Sequence, residues 1–238
     1  MDAVVFIVAF ISYDGSMATN QQVSRFWSWR PDASPAKTAV ERVYVGVSAD
    51  IVGGSLTGGT LITEGEMAER FAVSRTPVRE AFLVLEAQGL LVLFPKKGAI
   101  VTTPDAAENQ QLRQVRIMLE SRAVELQNGL SASDSPLSAQ LTDLIETQRR
   151  AASTGDALAF ARADHRFHAC VVAASGNPII DDFYAQLGPR LARLTCLTVQ
   201  NAGELQRFVN EHTRLAELFR VADHHGYEEL LQSHVSGA

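Results

Sequence analysis

The spacing of apolar residues divides this chain into two parts. Up to Thr103, stretches with helical spacing alternate with short apolar runs, whereas beyond it apolar residues recur at helical spacing to the end. Breaks rich in glycine, proline, serine and asparagine separate six predicted helices in the second part, at about residues 105–129, 134–153, 156–175, 178–200, 204–224 and 226–235. The pattern predicts a mainly α protein whose second domain, residues 104–238, is an all-α bundle of about six helices.

The first part, residues 35–103, opens with a predicted helix that ends near Val52. Its buried face is predicted from four apolar residues: Val40, Val43, Val47 and Ile51. Two glycine pairs then mark a loop before the next helix.

Residues 1–34 show no clear periodicity, and we expect a poorly ordered tail there. The apolar run over residues 3–11 is far shorter than the ~20 residues that a membrane-spanning helix needs. No basic residue precedes this run, so it makes a poor signal peptide. The tail could instead be a partner-docking arm, or the true start could be Met17, and both alternatives stay open at this point.

Two helices joined by a tight turn are predicted around Ser74. Thr63 and Glu66 form a capping box that opens the first helix. Ser74 is a suitable N-cap for the second, and Pro77 falls in its first turn, where a missing N–H costs nothing. Because Pro77 lacks that N–H, we expect the Ser74 side chain to accept a hydrogen bond from Thr76 N. The buried face of the second helix is predicted from Val78, Phe82 and Leu85.

The start of this second helix carries the first candidate chemistry. Arg75 and Arg79 are four residues apart and share a face, with Thr76 beside them. Two guanidinium groups and a hydroxyl in this position are typical of a helix-turn-helix that reads a major groove. A solvated helix end with two arginines is the alternative.

A basic hairpin is predicted directly after these helices. Its strands fall at residues 90–94 and 99–103, and its turn carries Lys96 and Lys97, where they could touch phosphates or a minor groove. Two helices followed by a basic hairpin describe a winged helix-turn-helix. The sequence therefore favours double-stranded DNA as a partner.

The first part resembles the winged-helix domain of the GntR family of bacterial transcription regulators over residues 61–101, and the run SRTPVREA at 74–81 is close to that family's signature. The resemblance implies that these residues contact DNA: Arg75, Thr76, Pro77, Arg79, Lys96, Lys97 and Gly98. One feature departs from the family pattern. Many members carry a basic residue in the helix before the turn, and here that place is taken by Gly65.

The net charge of −6 is unusual for a DNA-binding protein, but it is unevenly distributed. Residues 36–100 contain seven Lys/Arg and seven Asp/Glu, whereas residues 101–238 contain twelve Lys/Arg and seventeen Asp/Glu. The acidity therefore lies outside the predicted DNA-binding domain, and a local basic face matters more than the total.

Four polar residues interrupt the apolar faces of the second domain. Asp164 and His168 share the face of one predicted helix with Phe160 and Phe167, and His212 and His234 hold similar positions on two others. Burying these groups without partners would cost several kcal/mol. Together they indicate a divalent-metal site. The other histidines, His165, His224 and His225, fall off these faces, and we expect them to be solvated.

Arg116 is a further polar residue on an inner helix face, beside Leu112 and Leu119. A buried guanidinium needs an anion, which is either an internal carboxylate or an anionic ligand, and the sequence leaves both open. The two cysteines, Cys170 and Cys196, lack CxxC spacing, and we expect small buried thiols in a reducing compartment.

The second domain resembles the FCD ligand-binding domain of the FadR subgroup of the GntR family. The resemblance rests on Val115-Arg116, Leu119-Glu120, Gly155-Asp156, the run DHRFH at 164–168, SGNP at 175–178, Glu211-His212 and His234. It implies Zn²⁺ or Ni²⁺ ligands at Asp164, His168, His212 and His234. It also implies that Arg116 and Asn177 contact a small carboxylate effector. The chain departs from the family pattern before the last helix, at residues 223–226.

The two resemblances together imply a ligand-responsive transcription regulator that represses until its effector binds. We expect a cytoplasmic, nucleoid-associated homodimer that reads a palindromic operator, with no membrane partner and no enzyme activity. Two alternatives stay open: a metal-dependent hydrolase domain fused to a winged helix, and a DNA-binding protein with a purely structural metal site. Against the first, we predict no inward glutamate near His168 or His212 that could act as a general base, and we expect Glu211 to point away from the site.

Overall fold

The computed structural model describes residues 36, 38–127 and 136–236, so the predicted tail over residues 1–34 lies outside the described part. The described helices are α1 Ala39–Val52, α2 Glu64–Phe71, α3 Arg75–Ala87, α4 Ala106–Glu125, α5 Pro136–Thr154, α6 Ala157–Ala173, α7 Pro178–Thr198, α8 Ala202–Arg220 and α9 His224–Ser236. The strands are β1 Leu61–Ile62, β2 Leu91–Phe94 and β3 Gly98–Val101. None of the described helices combines the length and apolar character that crossing a membrane requires. The predicted mainly α fold is confirmed.

The hairpin forms a three-stranded antiparallel sheet with β1, in the order β1-β3-β2. Phe94 pairs with Gly98 at the turn, and Ile62 pairs with Ala99 on the other side of β3. A Cβ at position 98 would collide with the carbonyl oxygen of Ile62, and the φ of Gly98 is +118°. Glycine is therefore required at position 98, where the β2–β3 hairpin packs against β1.

The two helices around Ser74 form as predicted, with one correction. Thr63 Oγ1 accepts from Glu66 N at 3.2 Å and Glu66 Oε2 accepts from Thr63 N at 2.9 Å, which confirms the capping box. Ser74 is the N-cap of α3, but its side chain makes no capping hydrogen bond, so the predicted bond from Thr76 N is wrong. Pro77 is the third residue of α3 and lacks the N–H that an N-cap side chain most often bonds.

The six predicted helices of the second domain are confirmed as α4 to α9. Their shared core contains the buried side chains Phe160, Phe167, Leu215, Phe219 and Tyr227. The helices α6 and α7 also cover the first domain, because the fully buried Ala161 and Ala192 belong to the core of the winged helix.

Candidate metal centre and nucleic-acid interface

Three helices bring the four predicted metal ligands together at the centre of the second domain. Helix α6 presents Asp164 and His168 one turn apart, α8 presents His212 and α9 presents His234, and none of the four is more than 1% exposed. The Nε2 atom of His212 lies 3.2 Å from that of His168 and 3.2 Å from that of His234. It also lies 3.3 Å from Asp164 Oδ1. The four residues converge on one point.

The far side of each imidazole is fixed by an acceptor. His168 Nδ1 lies 2.7 Å from Glu120 Oε2, His212 Nδ1 lies 2.7 Å from Gln148 Oε1, and His234 Nδ1 lies 2.6 Å from Glu211 Oε2. Since carboxylate and amide oxygens accept hydrogen bonds, each Nδ1 carries a proton and donates it. Each Nε2 then points a lone pair at the centre, which is the arrangement that metal-binding imidazoles adopt.

The charge states of these residues favour a cation between them. Burial lowers the pKa of His212 to about 4 and lowers that of His234 well below its usual range, so both are neutral near pH 7. Burial would raise the pKa of Asp164, but the positive charge of the Arg116 guanidinium outweighs that effect and holds the pKa well below its usual range. Lone pairs and an anionic oxygen therefore face each other.

A divalent metal ion fits this donor set. Asp164 Oδ1 is buried and has no hydrogen-bond partner in the structure. Ligand atoms that share an ion at about 2.0–2.2 Å lie about 3–3.6 Å from one another. The four ligand atoms here all lie within 4.8 Å of one another, so small shifts would bring them onto one ion. Three imidazole nitrogens and one carboxylate oxygen suit first-row transition metals such as zinc or nickel.

Arg116 makes an internal ion pair, which was one of the two alternatives from the sequence. Its Nη2 donates to Asp164 Oδ2 at 2.9 Å, and its Nε lies 3.3 Å from Glu120 Oε1. Thr195 Oγ1 donates to the same Asp164 oxygen at 2.9 Å. These two donors hold one carboxylate oxygen of Asp164 and leave the other facing the imidazoles. A contact between Arg116 and an effector stays a prediction.

Glu120 is a central residue that sequence reasoning did not assign to the site. Its carboxylate accepts from Tyr227 Oη at 2.8 Å and from Tyr184 Oη at 3.3 Å, besides its contacts with His168 and Arg116. The available signal was its position four residues after Arg116, on the same inner helix face.

Two further residues behind the imidazoles were missed. Gln148 lies on the buried face of α5 with Leu144 and Ile145, a position that marks an inward amide. Glu211 was expected to point away from the site, but its carboxylate holds His234 because α9 packs beside α8. That expectation was wrong, as was the absence of an inward glutamate near His168, where Glu120 lies.

His165 was predicted to be solvated, and that prediction is wrong. Its ring is buried and stacks on Tyr184, with centroids 5.4 Å apart and planes 9° from parallel. A Cβ at Gly188 would lie 2.7 Å from His165 Nε2, so the glycine makes room for the ring. Burial lowers the pKa of His165 to about 3. Of the other two histidines predicted to be solvated, His224 is partly exposed and His225 is exposed.

Asn177 and the cysteines lie in simpler surroundings. Asn177 is exposed at the start of α7, where its Oδ1 accepts from Ile179 N at 3.1 Å, and its contact with an effector stays a prediction. Cys170 and Cys196 are both free thiols, the first buried and the second half-buried. Burial raises the pKa of Cys170 to about 11.

A second set of charged residues lies on the surface of the first domain. Arg75, Thr76 and Arg79 are exposed over the first two turns of α3, and Lys96 and Lys97 are exposed at the tip of the β2–β3 turn. Arg79 Nε donates to Glu64 Oε1, on α2, at 2.9 Å. The structure thus exposes cationic groups on both elements that a winged helix presents to a nucleic acid.

Comparison with known proteins assigns both domains. Residues 111–237 match the FCD domain, and residues 39–101 match the model described as bacterial regulatory proteins, gntR family. The gluconate operon transcriptional repressor of Bacillus subtilis is 27% identical over 192 residues, 81% of this chain and 74% of that protein. The HTH-type transcriptional repressor RspR of Escherichia coli is 24% identical over 202 residues, 85% of this chain and 88% of that protein.

Among solved structures, E. coli McbR/YncC shares the fold with a TM-score of 0.70 at 22% identity, covering 84% of this chain and 94% of that one.

Proposed function

This chain belongs to the GntR family of bacterial DNA-binding transcription regulators and carries an FCD domain, and we propose that it is a homodimeric repressor controlled by a metal-dependent effector site. One observation carries the proposal for the second domain. Three imidazole lone pairs and an anionic oxygen converge at a buried point, where a bound cation would relieve their repulsion.

We propose that the first domain reads a palindromic operator in the cytoplasm, at the nucleoid. Arg75, Thr76 and Arg79 would enter the major groove, with Pro77 shaping the first turn of α3. Lys96 and Lys97 would contact phosphates, positioned by a turn that requires Gly98. Two copies related by a two-fold axis would read two half-sites.

In the second domain, Asp164, His168, His212 and His234 would hold a zinc or nickel ion. When bound, the ion would offer its remaining coordination positions to the oxygens of a small organic acid. Arg116 neutralises Asp164 from the side away from the imidazoles, and we propose that it also supplies positive charge to the effector carboxylate.

A chain of contacts runs from this centre to the DNA-binding domain. Thr195 on α7 bonds Asp164, and Arg193 on the same helix donates from Nη1 to the carbonyl oxygen of Thr102 at 2.8 Å. Thr102 Oγ1 in turn donates to the carbonyl oxygen of Gly89, just after α3, at 2.8 Å. We propose that the effector shifts α7 and so changes the placement of α3. The effector can shift the equilibrium between the DNA-bound and released conformations only to the extent that it binds one of them more tightly than the other.

The contacts of the glutamates argue against hydrolysis. Glu120 and Glu211 lie behind imidazole rings and accept hydrogen bonds from Nδ1–H groups, so neither faces the point where a metal-bound water would be deprotonated. A regulatory role suits this arrangement better than turnover.

Metal content of the purified chain tests the proposal. Prepared without chelators, the wild type should hold close to one divalent ion per chain, and a His168→Ala/His212→Ala variant should lose it. His225→Ala is the matched control, because this exposed histidine lies outside the cluster, and it should keep the ion. A wild type without metal would contradict the ligand assignment.

The effector is tested on DNA. A carboxylate that raises the melting temperature of the metal-loaded protein should also release it from its operator, as measured by gel shift. If chelation unfolds the second domain but no carboxylate alters DNA binding, the metal is purely structural.

A further inference from the structure

We infer that Glu64 is a specificity-determining residue that positions Arg79 to read a guanine. This inference rests on the proposed reading of DNA by α3. Glu64 is the first residue of α2 and Arg79 is the fifth residue of α3, so the contact between them crosses the turn of the helix-turn-helix.

The geometry of the pair leaves the reading end of the guanidinium available. Glu64 Oε1 lies 2.9 Å from Arg79 Nε, and Oε2 lies 3.5 Å from Nη2. The carboxylate therefore lies along the side of the planar group that contains Nε. The other end of the guanidinium carries N–H groups of Nη1 and Nη2, and such a pair of donors matches the O6 and N7 acceptors of guanine.

The burial of the two side chains fits these roles. The Arg79 side chain is 70% exposed, whereas that of Glu64 is 29% exposed, so the arginine projects and the glutamate supports it from behind. Glu64 also lies in the first turn of α2, where the helix dipole stabilises a negative charge. Held in this way, Arg79 loses less rotamer freedom when it meets a base.

A carboxylate at this place would also repel DNA phosphates. Without Glu64, Arg79 would be free to swing toward the backbone, which carries no sequence information. With it, the favourable partner for Arg79 is a base edge that offers two acceptors. We therefore expect Glu64 to lower non-specific affinity while it raises discrimination.

Arg75 provides an internal contrast. Its Nη2 lies 3.7 Å from the place where a Cβ of residue 65 would be, so Gly65 puts no side chain beside this guanidinium. We expect the base preference that depends on Arg75 to be insensitive to changes at Glu64.

The test is selection from a pool of random duplexes by the full-length protein. Arg79→Ala and Arg75→Ala identify the half-site position that each arginine reads, and the Arg79 position should be a guanine preferred roughly 10-fold or more in the wild type. Glu64→Ala should lower that preference about threefold or more, with an intermediate loss in Glu64→Gln, which keeps an acceptor. Binding to a random duplex should strengthen.

Glu69→Ala is the matched control, because it removes the same charge from an exposed position of the same helix. It should leave the preference unchanged. If the wild type enriches no motif, the proposed reading of DNA fails. If it enriches a motif and Glu64→Ala keeps the guanine preference, or weakens binding equally at every position, the inference about Glu64 is overturned. Arg79→Ala without effect on any base preference would overturn it as well.

Discussion

Two arginine–carboxylate pairs in this protein have the same closest approach and opposite surroundings. Arg79 lies 2.9 Å from Glu64 on the surface of the first domain, and Arg116 lies 2.9 Å from Asp164 inside the second. The surface side chains are 70% and 29% exposed, and the buried ones are 6% and 0% exposed. Distance alone therefore does not decide what such a pair does, because water competes for the first pair and is excluded from the second.

The difference suits the two roles. A group that reads DNA must be able to gain a base as a partner, and an exposed ion pair contributes only about 0–1 kcal/mol. A group that holds a metal ligand must keep it in place, and removing one partner of a buried pair costs about 3–5 kcal/mol.

Removing the buried arginine gives the largest expected effect. In the metal-free protein, Arg116→Ala should lower the free energy of unfolding by about 3–5 kcal/mol, because Asp164 and Glu120 then keep buried charges without a cationic partner. Urea unfolding followed by circular dichroism measures this change. Arg122→Ala is the control on the same helix, since it breaks an exposed pair with Glu125 and should leave the free energy of unfolding almost unchanged. Equal losses of unfolding free energy in the two variants would contradict the distinction between the buried pair and the exposed pair.

The same glycine-to-alanine change should have opposite signs in the two regions. Gly188→Ala forces a methyl group against the buried His165 ring and should destabilise the protein by about 1–3 kcal/mol. Gly65→Ala meets only ordinary contacts in α2 and should stabilise it by up to about 1 kcal/mol. Thermal unfolding of both variants measures the signs. A stabilising Gly188→Ala would show that His165 can move aside without cost.

The cap of α2 should matter more than that of α3. Thr63→Ala removes both side-chain hydrogen bonds made by the hydroxyl in the capping box and should cost about 1 kcal/mol. Ser74→Ala should cost less, because the Ser74 side chain makes no capping bond. Chemical denaturation of the two variants gives the comparison, and a larger loss for Ser74→Ala would contradict the structure.

Removing the surface carboxylate should have the smallest effect on stability. Glu64→Ala should change the free energy of unfolding by about 0.5 kcal/mol or less, since its ion pair with Arg79 is largely solvated. The expected signature is a nearly unchanged urea midpoint with an altered base preference. A loss comparable to that of Arg116→Ala would mean that this pair supports the fold.

The sequence predicted the features that depend on local pattern. The capping box at Thr63 and Glu66 spans three residues, and Asp164 and His168 share one turn of a helix, so periodicity alone places them. The four cluster residues could be selected because each interrupts an apolar face.

The missed features depend on packing between distant parts of the chain. His168 and Glu120 are 48 residues apart, and so are Arg116 and Asp164, and nothing in the local pattern says which charges meet. The burial of His165 depends on the missing side chain of Gly188, in another helix. Such pairings follow from how the helices dock, which the spacing of apolar residues leaves undetermined.

The core of the winged helix includes Ala161 from α6 and Ala192 from α7, two helices of the other domain. The two domains are therefore poorly suited to being exchanged as separate modules. A hybrid that joined the first domain of this protein to the second domain of a relative would need small residues at the matching positions of α6 and α7. A larger side chain at either position would push the two domains apart. Recombination between regulators of this kind should therefore succeed most often when α6 and α7 are transferred together with the first domain.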